Sequence, residues 1–296
     1  MVTRERADAP RETRVVVNGV ALAVYEWAGA TRGARTVLCA HAAGFHARCW
    51  DRVIAHLPGP RCVAVDLRDH GRSDKPPPPF SWRAAGLDVA ALARALDLRD
   101  ALGVGHSLGG YAVTRAAATE PGRFGALLLL DPVIQARGRY GQRASGEHFA
   151  ARRRDRWSSP AEMLARFRER PPFNRWDPTV LSDYCEYGLL PAPDGEGYVL
   201  ACPPALEASI YAGSAAEDIY DAVEALDIPV RVVRAGGGQR PGHWDARASF
   251  TAPDLAAHFK RGEDILLADR SHFIPMEAPE TVAGFARELA GPGPGA

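Results

Sequence analysis

Residues 101–110 read Ala101-Leu102-Gly103-Val104-Gly105-His106-Ser107-Leu108-Gly109-Gly110. A short apolar run ends in Gly-His-Ser-Leu-Gly and a helical pattern follows. The spacing predicts a strand over Ala101–Gly105, a sharp turn at Ser107 and a helix behind it. Such a turn thrusts a serine oxygen clear of the backbone at the cost of strained φ and ψ. Small residues at Gly105, Gly109 and Gly110 let the turn close without Cβ clashes. The helix N-terminus behind Ser107 favours developing negative charge, with the Leu108 N–H pointing into the site. Ser107 is the candidate nucleophile.

On either side of this turn, short apolar runs alternate with helical patterns. Residues 1–12 read as a loose tail. Arg14–Val17 and Ala21–Trp27, joined by Asn18-Gly19, read as a hairpin. Strands are expected at Thr36–Ala40, Arg61–Asp66, Ala126–Leu130, Val230–Arg234 and Asp264–Ala268, with helices at Arg48–Leu57, Trp82–Leu96, Asp254–Lys260 and Pro279–Leu289. Strands separated by helices imply a mostly parallel, doubly wound α/β sheet, here of eight strands, covered on both faces. The rhythm breaks at Pro132. Residues 134–220 are too long for a simple crossover and read as an inserted, largely helical lid between core parts 13–133 and 221–296. Its aromatics, Trp157, Phe173, Trp176, Tyr184, Tyr187 and Tyr211, suggest an apolar pocket wall.

The 296 residues are 46% hydrophobic and 24% charged, with 36 basic and 36 acidic side chains. That balance favours neither nucleic acid nor an anionic membrane. Five scattered cysteines without CxxC spacing argue against structural zinc or a disulfide framework. No apolar run approaches a membrane span and the charged opening shows no secretory signal, so a cytoplasmic protein is expected. The expected partner is a small-molecule substrate; a homodimer stays open. No glycine-rich phosphate loop follows the first strand and no metal cluster is visible, so no cofactor is expected.

A serine needs a base, and nine histidines are available. His272, in Arg270-Ser271-His272-Phe273, follows a strand end, where ligands gather in parallel sheets. His243 is its rival.

With these residues in hand, the chain resembles the α/β-hydrolase superfamily, in the lid-bearing serine hydrolase branch, over about residues 14 to 290. The landmarks are His41-Ala42-Ala43-Gly44 after a strand, the run Asp66-Leu67-Arg68-Asp69-His70-Gly71-Arg72-Ser73-Asp74, the serine turn, and His272 with Pro275-Met276-Glu277-Ala278-Pro279. The resemblance implies an order of nucleophile, acid, base along the chain. It places the second oxyanion donor, beside Leu108, at the Ala43 N–H. Ala42 departs from the family's His-Gly pair there, and His41 reads as a loop-ordering residue. The family's usual acid position, after Val230–Arg234, reads Ala235-Gly236-Gly237-Gly238-Gln239-Arg240, with no carboxylate. A minority of relatives carry the acid one strand earlier, where this chain has Leu130-Asp131-Pro132. Asp131 is the expected acid and Asp245 the fallback.

A serine at the turn points away from dehalogenase and epoxide-hydrolase chemistry, which in the family starts from a carboxylate. The implied activity is hydrolysis of an ester, lactone or related acyl bond of a small, largely apolar substrate. The competing reading is a lyase, cyclase or small-ligand receptor on the same scaffold. The arginines Arg137, Arg139, Arg143, Arg152, Arg153, Arg154 and Arg156 are expected to form a solvated helix face, with an anion grip as the alternative.

Overall fold

In the computed structural model, which describes residues 9–29, 33–141, 148–236 and 248–291, the Asn18-Gly19 turn sets the first register. Both residues have positive φ, 48° and 76°, as a two-residue hairpin of matching twist requires. The turn joins β1 (Arg11–Val17) antiparallel to β2 (Val20–Trp27). The strand starts inside the expected tail, because Arg11 and Glu12 pair with Glu26 and Tyr25.

The chain continues through β3 (Val37–Ala40), α1 (Asp51–Ala55), β4 (Cys62–Val65), α2 (Trp82–Ala95), β5 (Ala101–His106), α3 (Leu108–Thr119) and β6 (Phe124–Leu130). Strands β3, β4 and β5 are buried throughout, as continuous apolar strands of a doubly covered parallel sheet must be. After the inserted segment come β10 (Val230–Ala235), α8 (Leu255–His258), β11 (Gly262–Leu267), α9 (Ile274–Glu277) and α10 (Pro279–Ala290).

The sheet has eight strands in the order β1-β2-β4-β3-β5-β6-β10-β11, parallel from β4 to β11. One apolar layer packs α2 and α3 on one face, through Val89, Leu92, Tyr111 and Val113. The other packs α1 and α10 on the opposite face, through Val53, Ile54, Val282 and Ala286. β5 is therefore central, and its carboxyl end opens where ligands gather in such sheets.

The segment over residues 134–220 is less helical than the sequence predicts. Besides α4 (Pro160–Phe167), α5 (Pro178–Tyr187) and α6 (Pro204–Ala212), it holds a small antiparallel sheet of β7 (Arg156–Trp157), β9 (Tyr198–Leu200) and β8 (Leu189–Pro191). Strands of two or three residues are too short to show an alternation. The first two helices start on capping side chains followed by proline: Ser159 accepts from the Glu162 N–H, and Asp177 from the N–H groups of Thr179 and Val180. α7 (Tyr220–Ala225) returns the chain to the core, where Asp221 pairs with Arg115 of α3.

All five cysteines are buried and free. Burial pushes the Cys62 and Cys185 thiols up to about 12, so both stay protonated and inert. No helix among the described residues is long and apolar enough to cross a membrane.

Candidate active site

Ser107 stands between β5 and α3 with φ 56° and ψ −116°, a conformation costing on the order of 1–3 kcal/mol for a residue with a side chain. The surroundings over-determine it. The Ser107 N–H donates to the Leu130 carbonyl at 3.1 Å, and its own carbonyl accepts from Gly110 at 3.0 Å and Val133 at 3.1 Å. The turn closes only without neighbouring side chains: a Cβ at Gly105 would lie 2.4 Å from the Gly109 carbonyl oxygen, and one at Gly109 2.0 Å from that of Ala40.

His272 lies in the turn between β11 and α9. Its Nε2 is 3.0 Å from Ser107 Oγ, and its Nδ1 is 2.6 Å from Asp131 Oδ2. Asp131 directly follows β6, the strand beside β5, and is fully buried with φ 41°, which aspartate tolerates better than most residues. Its Oδ1 accepts the Ala235 N–H at 2.9 Å and the Ser249 hydroxyl at 2.5 Å; Oδ2 accepts the Phe250 N–H at 3.3 Å. Burial favours the neutral acid, but the bonds from His272, Ser249 and Ala235 outweigh it and hold the carboxyl below its ordinary value. The ionised carboxylate takes the Nδ1–H, so the lone pair of Nε2 faces the serine. Asp245 and His243 lie outside the described residues.

The carboxylate's supporters were not legible in the sequence. Ser249 and Phe250 come 118 and 119 residues after the acid, and no local pattern links them to it. His106 was also missed, although it sits inside the serine turn. Its Nε2–H donates to the His272 carbonyl at 2.8 Å, which ties the base's backbone to the elbow.

Leu108 opens α3, so its N–H is one of the donors a helix leaves unpaired. Ala43 lies on the loop after β3, and no described residue accepts from its N–H. Ala43 lines the same cavity as Ser107, and Leu108 follows Ser107 directly. His41 orders this loop: its Nε2 accepts the Leu67 N–H at 3.0 Å and its Nδ1–H donates to the Ala42 carbonyl at 2.7 Å. Gly44 then abuts the inserted segment. With φ 78°, it leaves room where a Cβ would stand 2.6 Å from Glu207 Oε1. Glu207 pairs with Arg153, which also donates to the Tyr184 hydroxyl at 2.9 Å. Burial opposes the Arg153 charge, but Tyr184 and Glu207 hold its pKa above the ordinary value.

The arginines do not share one helix face. They spread over short turns and β7, and most of those described are exposed. Arg137 pairs with Glu224, Arg154 with Glu162, and Arg156 with Asp194. Arg143 lies outside the described residues.

A cavity of about 260 Å³ opens onto Ser107 and His272. Its apolar wall comes from Ala42, Phe45, Trp82, Val133, Phe250 and Phe273, of which none belongs to the inserted aromatics. Trp157, Trp176 and Tyr184 instead pack into a core of their own against Phe45 and Met276. Of the six aromatics, Tyr211 alone lines the cavity.

Four buried histidines near the site give a pH dependence of stability. Burial pushes His46 and His70 down to about 4, His106 to about 3, and His41 well below 6.5. Burial raises Asp66 and Asp69 to about 6. At pH 5, unfolding lets the four rings bind protons while the two carboxyls release theirs, a net uptake of about two protons. The stability from the neutral histidines is complete above pH 6.5 and is lost as pH falls towards 4. The two carboxyls offset part of that loss between pH 6 and 4. Urea unfolding near pH 5 should show stability falling by roughly 3 kcal/mol per pH unit; a flat profile over pH 4.5–6 would contradict this.

The profile of the alpha/beta hydrolase family matches residues 37–285. Lipase LipV of Mycobacterium tuberculosis is 31% identical over 271 residues, which cover 88% of this chain and 95% of the lipase. An esterase of the same organism is 33% identical over 134 residues, 43% of this chain and 41% of that one. Among solved structures, E-2-(acetamidomethylene)succinate hydrolase superposes with a TM-score of 0.74 over 95% of this chain and 98% of its own, at 21% identity. At that identity the likeness speaks to the fold.

Proposed function

Because the chain belongs to the alpha/beta hydrolase family and is an enzyme, we propose that it hydrolyses small carboxylic esters, lactones among them, through an acyl-enzyme on Ser107. The observation that carries this reading is the hydrogen-bonded line from Ser107 Oγ through His272 to a buried, ionised Asp131, ending at a cavity. The named activities of the two relatives, lipase and esterase, support the same bond as the target.

In the first half-reaction, His272 Nε2 takes the Ser107 hydroxyl proton as Oγ attacks the ester carbon. Asp131 stabilises the resulting imidazolium, and the Ala43 and Leu108 N–H groups hold the oxyanion. Collapse of the tetrahedral intermediate breaks the bond to the alcohol oxygen, which leaves with the proton from His272. A water then gives a proton to His272 and attacks the acyl carbon. Collapse frees the acid and returns the proton to Ser107.

Cavity size bounds the substrate. A cavity of about 150 Å³ holds one benzene, so about 260 Å³ takes roughly ten non-hydrogen atoms. Compact esters fit such a space; long acyl chains do not fit within it. A fluorophosphonate probe tests the chemistry. One equivalent should label the wild-type protein and none should label Ser107→Ala. Equal labelling of both, or no labelling of the wild type, sinks the reading.

A further inference from the structure

The cavity beside Ser107 has two unlike ends. Against the apolar wall stand Gln135, Arg139, His148 and Ser214, which are donors without an assigned task. Among the described residues, Arg139 is the one arginine or lysine in the lining, and none of them adds a carboxylate to it. Its guanidinium meets no acceptor among the described residues, whereas Arg137, two positions earlier, is taken by Glu224. Arg139 lines the cavity while remaining exposed, and its planar fork matches a carboxylate.

The neighbouring groups are arranged for the same guest. His148 Nδ1 accepts the Ala150 N–H at 3.3 Å, so the ring proton lies on Nε2. The ring stacks on Tyr211 with centroids 4.3 Å apart and planes 22° from parallel, which fixes that donor. The turn carrying Arg139 is also fastened: the Gln135 N–H donates to the Tyr140 hydroxyl at 3.2 Å, and the Tyr220 hydroxyl donates to the Gln135 carbonyl at 3.1 Å. The same turn follows directly from Asp131 and Pro132, so the cation and the acid share one short stretch of chain.

We propose that the substrate carries a carboxylate besides its scissile ester, held by the Arg139 guanidinium with the His148 Nε2–H as second donor. It is a half-ester of a short dicarboxylic acid; monomethyl glutarate has roughly the size that the cavity admits. This rests on Ser107 being the nucleophile of an ester hydrolase, and the test separates the two.

Hydrolysis of monomethyl glutarate and of its neutral isostere methyl 5-methylhexanoate is followed by pH-stat in the wild type and in Arg139→Met. The wild type should favour the acidic ester in kcat/KM, and Arg139→Met should lower the ratio of the two values about 10–100-fold. Lack of preference in the wild type, or an unchanged ratio in the variant, overturns the inference. Binding is read apart from turnover by titrating glutarate into Ser107→Ala and into Ser107→Ala/Arg139→Met by calorimetry. A Kd at least tenfold weaker in the double variant upholds the anion site even if no ester is cleaved. Equal Kd values, or no binding to either protein, overturn it.

Discussion

Ser107→Ala and His272→Ala are each expected to lower kcat on p-nitrophenyl acetate by about a millionfold, and the double variant to be no slower than either single. A nucleophile and a base that act as one unit lose the whole of their effect when either goes. Their 3.0 Å contact is the geometry of such a unit. On the proposed mechanism, what remains is the stabilisation offered by the Ala43 and Leu108 amides, which neither substitution touches and which leaves a rate still above that of water alone. Steady-state kinetics on the three variants, with thermal unfolding to show that each still folds, checks the expectation. If the losses multiplied in the double variant, the two side chains would be acting independently and the acyl-enzyme mechanism would fail.

Asp131→Asn is the second large effect, a loss in kcat of about ten-thousandfold. The carboxylate accepts hydrogen bonds on both oxygens, from Ala235, Ser249 and Phe250 as well as from His272. An amide has one accepting oxygen and one donating nitrogen. If its oxygen stays with Ala235 and Ser249, its NH₂ faces His272 Nδ1 and stabilises the tautomer whose Nε2–H cannot take the serine proton. If it flips, the NH₂ meets the Ala235 N–H, which leaves a buried N–H unpaired at about 1–3 kcal/mol. The first arrangement removes the base, and the second, which keeps the Nδ1–H bonded, is disfavoured by that cost. The competing acid, Asp245, makes the opposite forecast: Asp131→Asn would keep a rate within tenfold of wild type and Asp245→Asn would not.

The serine turn and the alternation of strands with helices were readable because their signals are local. A strand, a strained serine flanked by glycines and a helix all fall within residues 101–119, and only one backbone path satisfies them. Asp131 was readable by a different route, as a carboxylate at the end of an apolar strand next to the elbow strand, in a chain whose usual acid position holds glycines. The partners that ionise it were not. Ser249 and Phe250 reach it from more than a hundred residues away, and loop residues carry no periodicity to announce the contact. The inserted segment failed for a related reason. Its aromatics suggest a pocket wall, yet Trp176 and Tyr184 pack against one another and against Phe45. An apolar side chain in the sequence declares that it will be buried, not which cavity or core will bury it.

The long reach of His272 has a consequence for the chain as it is made. Its contacts to Asp131 and Ser107 span 141 and 165 residues. At the roughly 5–20 residues per second of protein synthesis, nucleophile and acid leave the ribosome on the order of ten seconds before the base exists. During that interval β5 and β6 can pair, and the serine is present without a proton acceptor. On the proposed mechanism, a nascent or prematurely terminated chain therefore lacks its proton acceptor however well its first half has folded. Activity becomes a property of the finished product, switched on by the late arrival of one ring.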